Sequence, residues 1–163
     1  MRILIAAVGK LKSGPEKALF DDYAGRLAWP VTVREVEARS ALPAAEVKTR
    51  EGALLLAALE GKGKTGKAGS RTGRRLVALD ERGTEPTSIA FAERLGAWRD
   101  QGAEEIAFVI GGADGLDEAV RARADWVVAF GRLTWPHLLA RALLAEQLYR
   151  AQQILAGHPY HRA

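Results

Sequence analysis

The chain contains no cysteine. That excludes a disulfide framework, a thiol nucleophile and a thiolate metal centre. Nor does it hold an apolar run near the roughly 18 residues of a membrane-spanning helix. The start, Met1-Arg-Ile-Leu-Ile-Ala-Ala-Val8, has one charge and a short apolar stretch. It lacks the length and cleavage region of a signal peptide and reads as a first strand. These absences fit a cytoplasmic protein. The three histidines, His137, His158 and His161, lack the spacing of a zinc site, so no metal is expected. No Gly-x-Ser-x-Gly elbow is present. Lys62-Gly-Lys-Thr65 ends like a phosphate-binding P-loop, but Ala58 stands where the pattern needs glycine, and a helix precedes it instead of a strand. Gly111-Gly-Ala-Asp-Gly115 has the wrong spacing for a dinucleotide fingerprint.

What remains is a chain of 163 residues, 48% hydrophobic and 27% charged, enough for the core of one domain spanning 1–163. The net charge is +4, and it is unevenly spread. Lys62, Lys64, Lys67, Arg71, Arg74 and Arg75 share one glycine-rich link at about 61–75 that contains no acid. Such a segment can hold phosphates, or it can be a solvated spacer.

Apolar periodicity orders the chain as five strands alternating with helices. The expected strands lie near 1–8, 31–37, 75–80, 106–110 and 125–130. The expected helices start near Ser13 or Gly14 with Pro15 in the first turn, at Ala44, at Ser88 as a cap, near Leu116, and after Thr134 as a cap with Pro136 in the first turn. Ile89, Phe91, Ala92, Leu95 and Trp98 form the expected inner face of the third helix. This alternation predicts an α/β fold, a mostly parallel sheet with helices on both faces. In such sheets ligands sit beyond the carboxyl ends of the strands. Three turns qualify: Asp80–Gly83, Gly111–Gly115 and Gly131–Pro136. The tail Tyr160-His-Arg162 offers a stacking face, a proton acceptor and a forked phosphate donor. Arg141 and Arg150 on the last helix are further phosphate donors. On spacing alone, Arg150 could equally pair with Glu146 one turn away, and the tail could be frayed.

Several blocks together resemble a known family. They are Ala7-Val-Gly-Lys10, Leu79-Asp-Glu-Arg-Gly83, Phe108-Val-Ile-Gly-Gly-Ala-Asp-Gly-Leu116, Leu133-Thr-Trp-Pro-His137, Glu146-Gln-Leu-Tyr-Arg-Ala151 and Pro159-Tyr-His-Arg162. They are similar to the pseudouridine N3-methyltransferases of large-subunit rRNA, within the SPOUT class of trefoil-knotted methyltransferases. The resemblance implies a C-terminal trefoil knot, a homodimer, and S-adenosylmethionine (SAM) as methyl donor. It implies a 23S rRNA substrate in the assembled ribosome. It places the cofactor at Leu79, Gly111, Phe130, Gly131, Arg132, Leu133, Thr134 and Trp135. Tyr160, His161 and Arg162 become catalytic candidates, with His161 as the proton acceptor. Arg141, Arg150, Arg162, Lys62, Lys64 and Lys67 become RNA contacts. Two other readings stay open beside it: a non-catalytic ribosome-binding factor, and a flavodoxin-like nucleotide-binding protein, for which no flavin or dinucleotide fingerprint exists.

Overall fold

The computed structural model describes residues 1–38, 43–60 and 73–161. Lys62, Lys64, Lys67 and Arg162 lie outside them. The elements are β1 (Arg2–Val8), α1 (Pro15–Arg26), β2 (Val31–Val36), α2 (Ala44–Glu60), β3 (Arg74–Thr84), α3 (Ser88–Asp100), β4 (Glu105–Ile110), α4 (Glu118–Arg123), β5 (Trp126–Val128) and α5 (His137–Leu155). The strands form one parallel sheet in the order β2-β1-β4-β3-β5.

β1 and β4 are apolar at almost every position because helices cover both sides of the sheet. Ile3, Ile5, Ala7, Ile106, Phe108 and Ile110 face α1, α3 and α5. Leu4, Ala6, Val8, Ala107 and Val109 face α2 and α4. β2 alternates between half-buried and exposed, as an edge strand does. At the amino ends of the strands Glu105 lies between two guanidiniums, Arg2 Nε at 2.8 Å and Arg74 Nε at 2.5 Å. Burial pushes its carboxyl up, but the two arginines outweigh that and hold it below the usual carboxylate range.

Several boundaries differ from the expectation. Asp80–Gly83 is not a turn: β3 runs on to Thr84. Its register against β5 shifts between Leu79 and Thr84, so Val128 pairs with both of them. Gly83 permits this crossing, since a Cβ there would lie 2.5 Å from the Val128 carbonyl carbon. Thr87, not Ser88, caps α3, accepting from the Ala90 amide at 3.1 Å. Ser88 instead reaches across to Gln147 on α5. Ile89 is exposed, because the α3 face that meets the sheet and α5 runs through Phe91, Ala92, Leu95, Gly96 and Trp98. Thr134 does not cap α5. The helix begins three residues later at His137, with Pro136 in the cap position and no side-chain cap.

Candidate active site

The carboxyl ends of β3, β4 and β5 open into a cavity of about 250 Å³. Its walls come from the three expected segments: Leu79–Arg82, Ile110–Gly115 and Val128–Trp135 without Arg132. Lys48, Arg121, His137 and Ala140 complete it. Much of the wall is backbone, since four of its residues from 110 to 115, Gly111, Gly112, Ala113 and Gly115, carry a methyl group or no side chain. Gly111 serves the turn itself. A Cβ there would lie 2.7 Å from both the carbonyl carbon and the oxygen of Gly115, so the loop closes on its own backbone. Gly131 has φ +99°, the left-handed conformation that turns the chain at Phe130. Trp135 pins the same loop, its Nε1 donating to the Phe130 carbonyl at 3.1 Å.

Asp80 and Arg121 form the polar floor. The Asp80 side chain is only 5% exposed, and its Oδ2 takes a bond from Arg121 Nη1 at 3.2 Å. The same nitrogen donates to the Leu116 carbonyl. Arg121 thereby ties the β3 segment to the loop after β4. Spacing gave no hint of this role, because α4 is short and its arginines look like a solvated face. His137 sits half-buried at the α5 end of the cavity. Burial, and then the charge of Arg141, hold its imidazole below its ordinary pKa.

The family described as "Predicted SPOUT methyltransferase" matches residues 1–161. Ribosomal RNA large subunit methyltransferase H of Rhodospirillum centenum is 58% identical over 163 residues, all of both chains. The protein of that name from Paramagnetospirillum magneticum is 54% identical over 162 residues, 99% of each chain. The chain belongs to the SPOUT methyltransferase family. A solved structure described as a probable methylase family protein from Haemophilus influenzae superposes with a TM-score of 0.55. It is 14% identical, and the match covers 99% of this chain and 70% of that one, a likeness of fold.

Among the expected cofactor positions of this SPOUT chain, Leu79, Gly111, Phe130, Gly131, Leu133, Thr134 and Trp135 line the cavity. Arg132 does not. Its side chain is 93% exposed and faces Glu85 at 3.5 Å. The sequence reading missed Lys48, Arg121 and His137 as wall residues, and it named Asp80 only as the start of a turn. Asp80 and His137 stood inside the quoted blocks, so only their direction was hidden.

Arg141 corrects a second expectation. It is fully buried and cannot meet a phosphate of RNA. Its Nη2 donates to the carbonyls of Val8 at 2.5 Å and Gly9 at 2.6 Å, and Nη1 to Glu35 Oε1 at 2.7 Å. Its Nε has no partner among the described residues.

The tail is gathered elsewhere. Tyr160 packs edge-on against Tyr149, with ring centroids 4.8 Å apart. Arg150 lies 4.9 Å over the Tyr160 ring and pairs with Glu146. His161 Nδ1 is 3.5 Å from Arg150 Nη1. Helix geometry puts Glu146 and Tyr149 roughly 14–18 Å along α5 from His137. Glu146, Tyr149, Tyr160 and His161 are not among the residues that line the cavity.

Proposed function

We propose that the protein methylates N3 of a pseudouridine in 23S rRNA of the assembled ribosome, using SAM, as a cytoplasmic homodimer. The observation that carries this is the cavity of small, backbone-rich loops at the carboxyl ends of the sheet, in a chain that belongs to a methyltransferase family. The rRNA substrate is supported by the names of relatives at 58% and 54% identity.

The cavity's chemistry suits SAM. Leu79, Ile110, Val128 and Phe130 offer apolar wall for a purine, and Asp80, Glu81 and Asp114 offer negative charge to a sulfonium and an ammonium. When bound, SAM supplies an electrophilic methyl group on positively charged sulfur. Transfer disperses that charge, so the protein's task is alignment, which can contribute roughly 7–11 kcal/mol. The N3 proton leaves to His161, Tyr160 stacks on or positions the base, and Arg150 and Arg162 hold phosphate.

The distance between tail and cavity favours a composite site, in which one copy's Tyr160–Arg162 completes the cavity of the other. The path of α5 suits a threaded knot: β5 ends at one edge of the sheet, yet α5 packs against α1 and α3, and its Arg141 reaches the end of β1.

Mixing two inactive forms tests the whole reading. One lacks residues 160–163; the other carries Gly111→Val. Random exchange of subunits should restore about a quarter of the sites if tail and cavity come from different copies. No recovery after verified exchange would return the tail to its own chain. Mass spectrometry of large-subunit rRNA from a deletion strain should show one pseudouridine without its methyl group. An unchanged rRNA would overturn the substrate.

A further inference from the structure

Arg141 is costly to bury. Desolvation pushes its pKa down even though Glu35 opposes the shift, and its Nε has no partner among the described residues. It spends its fork on the segment after β1. Its two bonds to Val8 and Gly9 stop β1, and Gly9 turns there at φ +82°. The Gly9 amide donates to the Val36 carbonyl at 2.8 Å. Glu35 Oε1, held by Arg141, also accepts from the Leu11 amide at 2.7 Å. Four polar bonds thus fix residues 8–11 at the carboxyl end of β1.

This segment forms the rim beside the cavity. Ala7 pairs with Ile110, so Gly9 and Gly112 leave the sheet side by side. A Cβ on Gly112 would touch Val8 Cγ1 at 3.0 Å. A Cβ on Gly9 would lie 3.2 Å from Nε2 of His137, a cavity wall residue. The rim reads Gly9-Lys-Leu-Lys-Ser-Gly14 and contains no acid. Lys12 is exposed and has no acidic partner among the described residues. Among the described residues Lys10 pairs only with Glu37 at 3.6 Å, both largely in solvent, a contact worth little and readily exchanged.

We infer that the rim after β1 is an RNA-backbone site, in which Lys10 and Lys12 take phosphates next to the target nucleotide while Arg141 and Glu35 hold the rim against the cavity. The observation behind it is a preorganised turn beside the cavity wall that carries two lysines and no acid, anchored by a buried guanidinium. Exposed lysines on a loose loop would lose more entropy on binding than lysines on a fixed turn. This inference rests on the RNA-methylating reading above.

The test is binding of the dimer to assembled ribosomes across a salt series, with SAM affinity measured in parallel. Lys10→Ala/Lys12→Ala should lower ribosome affinity roughly 10–50-fold near 0.1 M salt and flatten the log–log salt slope by about 1.4–1.8. SAM affinity should stay at the wild-type value. Lys10→Arg/Lys12→Arg should keep the slope, because charge is what the site reads. An unchanged slope in the alanine variant would overturn the rim site while leaving wild-type methylation, and so the function, standing. Failure of the wild type itself to bind or methylate ribosomes would instead remove the function on which the inference rests.

Discussion

The Tyr160 hydroxyl donates to Glu146 Oε1 at 3.2 Å, folding the tail back along α5. Burial first, then Tyr23 and the Glu146 charge, push the Tyr160 phenol well above its ordinary pKa. The phenol is the donor in this bond and Glu146 the acceptor. Deleting residues 160–163 should leave SAM affinity and a dimer of about twice the 17.6 kDa chain mass, yet remove methyl transfer. Sedimentation, calorimetry and single-turnover assays check the three parts. A truncated protein that methylates at the normal rate would make the tail dispensable.

His161→Ala should lower the single-turnover rate by roughly 10²–10⁴-fold with ribosome affinity little changed, as expected for a lost proton acceptor. A normal rate would move that role to solvent or to another group.

His137 gives a pH signature. Its folded-state pKa lies below the ordinary value of 6.5, because burial and Arg141 disfavour the charged form. The sign follows: the unfolded chain binds the proton more readily, so this contribution to stability is present above 6.5 and is lost as pH falls through the folded pKa. His137→Gln should flatten the decline in unfolding free energy on acidification. With three histidines in the chain, NMR can follow the imidazole directly. A His137 that titrates at or above 6.5 would contradict the assignment.

Gly111→Ala should weaken SAM binding through the loop rather than by filling cavity space. Its Cβ meets the Gly115 backbone at 2.7 Å, which cannot yield as a flexible side chain would. Binding and thermal stability should fall together, by about 1–3 kcal/mol in stability. Lost binding with unaltered stability would instead place the methyl group against the cofactor.

Glu105→Gln should lower stability at neutral pH by about 1–3 kcal/mol, since Arg2 and Arg74 lose their shared carboxylate. The effect should shrink as pH falls below 4.5, where the unfolded carboxylate takes a proton first and the folded one later. Urea unfolding at pH 7 and pH 3 measures both arms. Equal losses at the two pH values would show that the charge pairing contributes nothing.

The sequence by itself determined the alternation of strands and helices, the parallel sheet and the three cavity loops. Each depends on local rules: apolar runs that want cover on both faces, and glycines where chain must turn. The family was legible too, because its blocks are contiguous. Only the tertiary structure decided what distant segments do to one another. A turn signal at Asp80-Glu-Arg-Gly83 yielded to pairing with Val128, since Gly83 lets two backbones cross. Arg141 looked like a phosphate donor on helix spacing, yet α5 delivers it to the end of β1, 133 residues away from Val8. Arg121 had no assigned role in the sequence, and the structure sets it on Asp80. Spacing along a helix says which residues share a face. It cannot say what faces them, because that depends on which segments the sheet order brings alongside.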